Sequence, residues 1–212
     1  MNWRPQPPSS STTSSSNVPA GARRSYALES LTNLLRTQEG LQILDLGGLN
    51  QANLDFVTGL GHRLYAEDIV KACDSFFTKQ EFANKHFDSH RIAQFIDQTF
   101  DFPDQSSDGA LVWDVLQFLP NPIAQAVLDR LYRILAPDSF LLAFFHPESG
   151  GPAAKPHSCR IIDAKHLMFM PRESARTIEL YTTRSIERFF HQFAAVKFFL
   201  TRENLQEVIV KR

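Results

Sequence analysis

The sequence lacks the features that mark secreted or membrane-spanning proteins. Its 212 residues include only two cysteines, Cys73 and Cys159, which flank the middle of the chain without the spacing of a metal site. This scarcity favours a reduced, cytoplasmic compartment. The longest apolar runs, such as 140–145, are too short to span a bilayer, and the N-terminal segment has no apolar stretch like that of a secretory signal. We therefore expect no membrane association.

An excess of charge of either sign is also missing. Lysine and arginine total 22, and aspartate and glutamate total 23. This balance creates no net field that would steer nucleic acid or an anionic membrane to the protein, so nucleic acid is not an expected partner. The sequence contains no information on oligomeric state.

The chain does contain enough apolar sequence for one globular domain. Hydrophobic residues make up 43% of it, and its length suits a single domain with a short appendage. Residues 1–24 are rich in serine, threonine and proline and have little to bury, so we expect a disordered tail followed by a domain over 25–212.

Strands and helices alternate along this domain. Strands are predicted at 41–46, 63–66, 91–96, 108–113 and 140–145, with a further short strand at 159–163. Amphipathic helices are predicted at 25–36, 51–58, 121–136 and 184–191. This alternation indicates a parallel sheet with right-handed crossovers. The final strands, 195–201 and 205–211, have a connection so short that they must pair antiparallel. We predict an α/β fold: a doubly wound, mostly parallel seven-stranded sheet with a C-terminal antiparallel hairpin and helices on both faces.

The end of the first strand has the pattern of a ligand-binding turn. Gly47 and Gly48 stand where a chain leaving a parallel strand turns tightly and brings its backbone close to a ligand. Asn50 then caps the following helix, and it is also a candidate to hydrogen-bond the ligand. Asp45 is the acid within the otherwise apolar strand, and it either hydrogen-bonds the turn and any bound cofactor or simply ties down the loop.

Two acids follow the second strand. Glu67 and Asp68 lie about twenty residues beyond the glycine turn, which is the spacing at which open α/β sheets bind a ribose diol. Neighbouring side chains of a strand face opposite ways, so only one of the two can point into the crevice. We favour Asp68, with Glu67 as the alternative.

Four segments together resemble the motifs of class I S-adenosylmethionine-dependent methyltransferases, in the same order and over about residues 26–212. They read ILDLGG, YAEDI, FDFPDQSSDGALVWDVLQFL and LDRLYRILAPDSFLLAFF. The resemblance implies S-adenosylmethionine as cofactor and methyl transfer to a small-molecule acceptor, with the protein mainly positioning the reactants. A nicotinamide or flavin dinucleotide is disfavoured, because the chain has no Gly-x-Gly-x-x-Gly fingerprint.

The glycine-rich motif is degenerate. Leu49 and Gln51 occupy positions at which the family usually has glycine, and the usual Pro-Gly-Gly before the fifth strand is Pro-Asp-Ser at 137–139. These departures motivate the alternative of a catalytically inactive, methyltransferase-like binding or scaffolding protein.

The resemblance also implies roles for residues later in the chain. Asp97 or a nearby backbone amide, after the predicted third strand, is expected to meet the adenine. Asp114, after the fourth strand, lies where the family places groups around the reacting methyl. His146 follows the fifth strand and is the candidate general base, since an exposed imidazole titrates near neutrality. Four more residues fall in the expected acceptor region: His157, Arg160, Tyr181 and Arg184. No metal site is expected, because the spacing of His157, Cys159 and His166 matches no known ligand pattern.

Overall fold

The structure is a computed structural model that describes residues 18–146, 153–172, 176–201 and 205–212. In these ranges the helices are α1 Tyr26–Leu35, α2 Gln51–Gly59, α3 Ile69–Phe76, α4 Lys79–Asn84, α5 Ser89–Thr99, a 3₁₀ helix Val115–Phe118, α6 Asn121–Ile134 and α7 Thr183–Phe189. The strands are β1 Arg23–Arg24, β2 Gln42–Asp45, β3 Arg63–Ala66, β4 Ser107–Trp113, β5 Leu135–Phe145, β6 Ala153–Ala154, β7 His157–Asp163, β8 His166–Pro171, β9 Arg176–Thr177, β10 Ala195–Leu200 and β11 Gln206–Lys211.

The main sheet confirms the predicted α/β class. Its strand order is β10-β11-β5-β4-β2-β3. Neighbouring strands from β3 to β5 are parallel, whereas β11 pairs antiparallel with both β5 and β10. The chain order reverses at β2, which has β3 on one side and β4 on the other. In open α/β sheets ligands bind outside the carboxyl ends of the strands at such a reversal.

The predicted third strand, 91–96, is wrong, and the main sheet has six strands in the described residues rather than seven. The segment belongs to α5, which begins after Asp88, whose carboxylate accepts the backbone N–H groups of His90 and Arg91. Phe95 and Ile96 are buried against the core. The apolar run is too short for its periodicity to separate a strand from one face of a helix, and the cap decides the outcome.

Side chains alternate between two hydrophobic clusters on opposite faces of the main sheet. In β5, Leu141 and Ala143 face one cluster while Phe140 and Leu142 face the other. Helices α3, α5, α6 and α7 pack on the first face, and α1 and α2 on the second. Burial on both faces explains why the central strands are continuous apolar runs.

A second, three-stranded antiparallel sheet of order β1-β8-β7 packs beside α2. Asn53 of α2 ties this sheet to the domain: its Nδ2 donates to the Cys159 carbonyl at 2.9 Å, and its Oδ1 accepts from the Ile161 N–H at 2.8 Å. Strand β7 confirms the short strand predicted at 159–163. Arg23 and Arg24 form β1, so regular structure begins before the predicted domain boundary at residue 25.

Two observations on the described residues concern membrane crossing and the cysteines. No helix among them combines the length and the apolar character needed to cross a membrane. Cys73 and Cys159 are both buried. Residues 1–17 of the predicted tail lie outside the described residues, so its disorder stays a prediction.

Candidate functional site

Asp45 is the centre of the turn that follows β2. Its side chain is fully buried, and its Oδ1 accepts the Gly47 N–H at 2.9 Å and the Trp113 Nε1–H at 2.6 Å. Its Oδ2 accepts from Asn53 at 3.0 Å. Burial raises the pKa of Asp45 to about 6, although the three hydrogen bonds and the nearby Arg172 oppose this rise. Asp45 therefore organises the turn; contact with a cofactor remains a prediction.

The two glycines of the turn are required by close packing. A Cβ on Gly47 would lie 2.6 Å from Cδ1 of Trp113, which is too close for two carbon atoms. Gly48 has a φ of +85°, and a Cβ there would lie 3.1–3.3 Å from the Asp68 side chain. The Gly47–Gly48 turn therefore packs closely against both Trp113 and Asp68. Leu49, one of the non-glycine departures, is 76% exposed and does not fill the space beside the turn.

Asp68 is the acid that faces the glycine turn. Its backbone forms an isolated bridge with Gly47, and its Oδ1 caps α3 by accepting the Lys71 N–H at 3.1 Å. The alternative acid, Glu67, is half-buried, and its backbone carbonyl accepts the Gly48 N–H at 3.2 Å. The geometry therefore favours Asp68 over Glu67 as the carboxylate at the crevice.

Arg172, which follows β8, binds both Asp68 and the glycine turn at this crevice. It was not among the predicted site residues. Its Nη1 donates to both carboxylate oxygens of Asp68, at 2.8 and 2.7 Å, and its Nη2 donates to the Gly47 carbonyl. The guanidinium thus links the glycine turn to the predicted ribose-binding acid. Asp68 and Arg172 are 104 positions apart in the chain, and no local pattern marks Arg172.

A second polar cluster lies at the carboxyl ends of β4 and β5. The fully buried Asp114 carboxylate accepts through Oδ2 from His146 Nε2 at 3.1 Å and from His157 Nδ1 at 2.7 Å. Burial alone would raise the pKa of Asp114, but the two histidine hydrogen bonds outweigh it and hold that pKa below its ordinary value. The imidazole centroids are 4.9 Å apart, and Phe169 places its ring against both.

Gln117 of the 3₁₀ helix fixes the backbone of His146. Its Oε1 accepts the His146 N–H at 2.6 Å, and its Nε2 donates to the carbonyls of His146 and Glu179, each at 3.2 Å. The side chain is fully buried, so these bonds are shielded from water. Gln117 lies in the motif quoted for the resemblance, but its role could not be predicted because both partners are distant in sequence.

The other predicted residues are dispersed. Asp97 is exposed on α5 and does not follow a strand, so its predicted contact with the adenine loses its basis. Asn50 caps α2 as predicted, accepting the Ala52 N–H at 3.0 Å. Arg160 and Arg184 are exposed. Of the remaining three, Tyr181 donates to Asn121, His166 pairs with the nearby Asp163, and Cys159 is buried in β7.

A cavity of about 480 Å³ opens near the start of α6. Aromatic and proline side chains dominate its wall, and its polar residues include Lys85 and Glu179; the apolar lining includes Phe82, Phe87, Phe118 and Pro122. Glu179 also contacts Gln117, since its carbonyl accepts the Gln117 amide. Glu179 thus connects the cavity wall to Gln117, but none of the residues that line the cavity belongs to the Asp114–His146–His157 cluster.

Comparison with known proteins identifies the fold. No protein-family model and no curated protein matches the sequence. Among solved structures, a protein of Pyrococcus horikoshii is 12% identical with a TM-score of 0.53, over 87% of this chain and 88% of that one. A candidate O-methyltransferase of Nostoc punctiforme is 14% identical with a TM-score of 0.50, over 87% of this chain and 55% of that one.

A third solved structure contains a ligand. The 1,6-didemethyltoxoflavin N1-methyltransferase of Burkholderia thailandensis, solved with S-adenosylhomocysteine, is 14% identical with a TM-score of 0.45, over 88% of this chain and 77% of that one. The two structures with TM-scores of 0.53 and 0.50 show the shared fold alone, because their identities to this chain are only 12% and 14%. Activity, cofactor and acceptor have to be argued from this chain's own residues.

Proposed function

We propose that the protein is an S-adenosylmethionine-dependent methyltransferase acting on a small-molecule acceptor. The observation that carries the proposal is the position of the Gly47–Gly48 turn and of Asp68. Both lie at the carboxyl ends of β2 and β3, beside the point where the strand order reverses. This is where open α/β sheets bind nucleotide-type ligands.

The residues at this edge fit an adenosyl group. The glycine turn offers backbone without side chains, and Asp68 offers carboxylate oxygens that can accept from both ribose hydroxyls. Arg172 donates to the same oxygens, so it competes with the ribose hydroxyls for this carboxylate. S-adenosylmethionine, when bound, supplies a methyl group on a positively charged sulfur that is already activated for in-line displacement.

The acceptor side of the proposal rests on the Asp114–His146–His157 cluster. His146 Nε2 donates to Asp114, which leaves Nδ1 as the nitrogen that can take the proton released by an acceptor hydroxyl or amine. Asp114 orients the ring and stabilises the imidazolium that forms.

Titration calorimetry with S-adenosylhomocysteine tests the cofactor part of this proposal. We expect one site per chain, and we expect Asp68→Asn to lose at least about 10-fold in affinity, because the amide removes one acceptor and the negative charge. Asparagine also caps helices well, so α3 is retained. Glu67→Gln is the matched control and is expected to bind as the wild type does. Absence of binding at millimolar ligand would remove the proposal.

A second candidate function is a non-catalytic, methyltransferase-like binding protein. The contacts of Arg172 favour it, because they occupy Asp68 and the Gly47 carbonyl at the same time. In that case the wild-type protein would not bind S-adenosylhomocysteine. Transfer of a labelled methyl group from S-adenosylmethionine to any component of a metabolite extract would rule this candidate out.

A further inference from the structure

We propose that Asp114, His146 and His157 form a binding site for a divalent transition-metal ion. The three residues come from the ends of β4 and β5 and from the start of β7, so the fold brings them together from separate parts of the chain. Their ligand atoms, one carboxylate oxygen and two imidazole nitrogens, all lie within 4.8 Å of one another.

The distances suit coordination as well as hydrogen bonding. Ligand atoms at about 2.1 Å from a metal are separated by about 3.0 Å at right angles and by about 3.4 Å at tetrahedral angles. The Asp114 Oδ2 atom lies 3.1 Å from His146 Nε2 and 2.7 Å from His157 Nδ1. These two separations lie near the values for coordination, whereas the two imidazole nitrogens are only known to lie within 4.8 Å of each other, so the rings would have to adjust to share an ion.

The free oxygen of Asp114 is an independent indication of a missing ligand. Asp114 has no exposed surface, yet its Oδ1 has no hydrogen-bond partner among the residues that the structure describes. An unsatisfied buried carboxylate oxygen costs about 1–3 kcal/mol or more, since it has lost its water. A metal ion bound by this carboxylate would compensate for that loss.

The ligand types select the class of ion. Two imidazoles and one carboxylate suit zinc, iron, cobalt or nickel, whereas magnesium and calcium prefer oxygen ligands. Three protein ligands also leave coordination positions open. Phe169 and Gln117 hold the site in place, the first by packing on both rings and the second by binding the His146 backbone.

The ion would change how an acceptor is activated. A neutral imidazole that binds a metal through Nε2 carries its proton on Nδ1, so His146 cannot be a ligand and a general base together. In the metal-bound protein an open coordination position would bind the acceptor oxygen or nitrogen and lower its pKa. The inference concerns only metal binding by these residues and does not require that S-adenosylmethionine binds.

The test is titration of the full-length, chelator-treated protein with Zn²⁺ by calorimetry and with Co²⁺ by visible absorption, without any nucleotide ligand. We expect one ion per chain and Co²⁺ bands that indicate nitrogen ligands. His157→Ala should weaken binding by at least about 10-fold. His166→Ala is the matched control, because His166 forms a similar 2.8 Å pair with Asp163 elsewhere, and it should leave binding unchanged.

Three outcomes would overturn the inference. They are the absence of stoichiometric Zn²⁺ binding by the wild-type protein, equal affinity in His157→Ala, and an equal loss in His166→Ala. Circular dichroism shows whether each variant is folded. If His157→Ala is unfolded, the Co²⁺ spectrum of the wild type still decides, because bands without nitrogen coordination contradict the site. S-adenosylhomocysteine binding measured in chelator tests the proposed function separately.

Discussion

Replacement of Arg172 by alanine tests whether this side chain competes with a ligand for the crevice. Its guanidinium donates to both oxygens of Asp68 and to the Gly47 carbonyl. A ribose bound at Asp68 needs the same oxygens. Alanine removes the competing donor without changing the strand that precedes it, so we expect Arg172→Ala to bind S-adenosylhomocysteine more tightly than the wild type.

The size of the effect follows from the contacts that are lost. Hydrogen bonds to charged groups contribute a net of about 1.5–3 kcal/mol. The side chains of Arg172 and Asp68 are 21% and 30% exposed, so water screens the ion pair. We therefore assign about 1.5–3 kcal/mol to all the contacts together and not to each one. Each 1.4 kcal/mol changes affinity about tenfold, which predicts binding tighter by about 10- to 100-fold.

Two measurements with opposite signs make this prediction specific. Calorimetry should show the tighter binding, while denaturant unfolding of the ligand-free variant should show stability lower by about 1.5–3 kcal/mol, because the same contacts are lost. Arg160→Ala removes an exposed arginine from the neighbouring strand β7 and should change neither value. Equal or weaker ligand binding by Arg172→Ala would refute competition and would indicate that Arg172 contacts the ligand instead.

The remaining predictions concern the turn after β2. Gly47→Ala places a Cβ 2.6 Å from Cδ1 of Trp113 and should lower the unfolding free energy by about 1–3 kcal/mol, measured by denaturant titration. Asp45 has a pKa of about 6 against an ordinary value of 3.8, so the folded state binds its proton more tightly than the unfolded chain does. The contribution of Asp45 to stability is therefore complete below pH 3.8 and falls by about 3 kcal/mol as the pH rises to about 6. Asp45→Asn should lack this fall when unfolding is measured across the same range.

Controls for these predictions exist within the same segment. Gly59, at the end of α2, has nothing within 4 Å of an added Cβ, so Gly59→Ala should be neutral or slightly stabilising. The pH comparison rests on the difference between wild type and Asp45→Asn, because carboxylates with lowered pKa values, such as Asp163, give slopes of the opposite sign. A wild-type and variant difference that is constant from pH 4 to 6 would contradict the raised pKa of Asp45.

Elements with strong local signals could be predicted from the sequence. The strand at 63–66 has the predicted bounds, and Asn50 caps α2 as expected. The hairpin of β10 and β11 followed from a connection too short for any other pairing. The prediction of a strand at the position of α5 is wrong, because a short apolar run suits a strand as well as a helix face. The helix cap that decides between them, Asp88, lies outside that run.

The candidate site was predictable only in part. Asp45, Gly47, Gly48 and Asp68 lie within one short segment, and the glycine–acid spacing was enough to predict that they lie together. His146 and Asp114 were proposed from the resemblance, but their contact with each other and with His157 was not predicted. The prediction for Asp97 depended on a third strand at 91–96. Because that segment is helical, Asp97 does not lie at the end of a strand.

The sequence by itself determined the alternation of strands and helices, the glycine turn and the acid beside it, because these depend on contacts between residues a few positions apart. Only the tertiary structure decided what those groups meet. Arg172 reaches Asp68 across 104 positions, Trp113 reaches Asp45 across 68, and His157 reaches Asp114 across 43. Pairing of β2 with β4 brings Trp113 to Asp45, whereas packing of the β7–β8 strands brings His157 and Arg172 to their partners. No local pattern in the chain encodes these contacts.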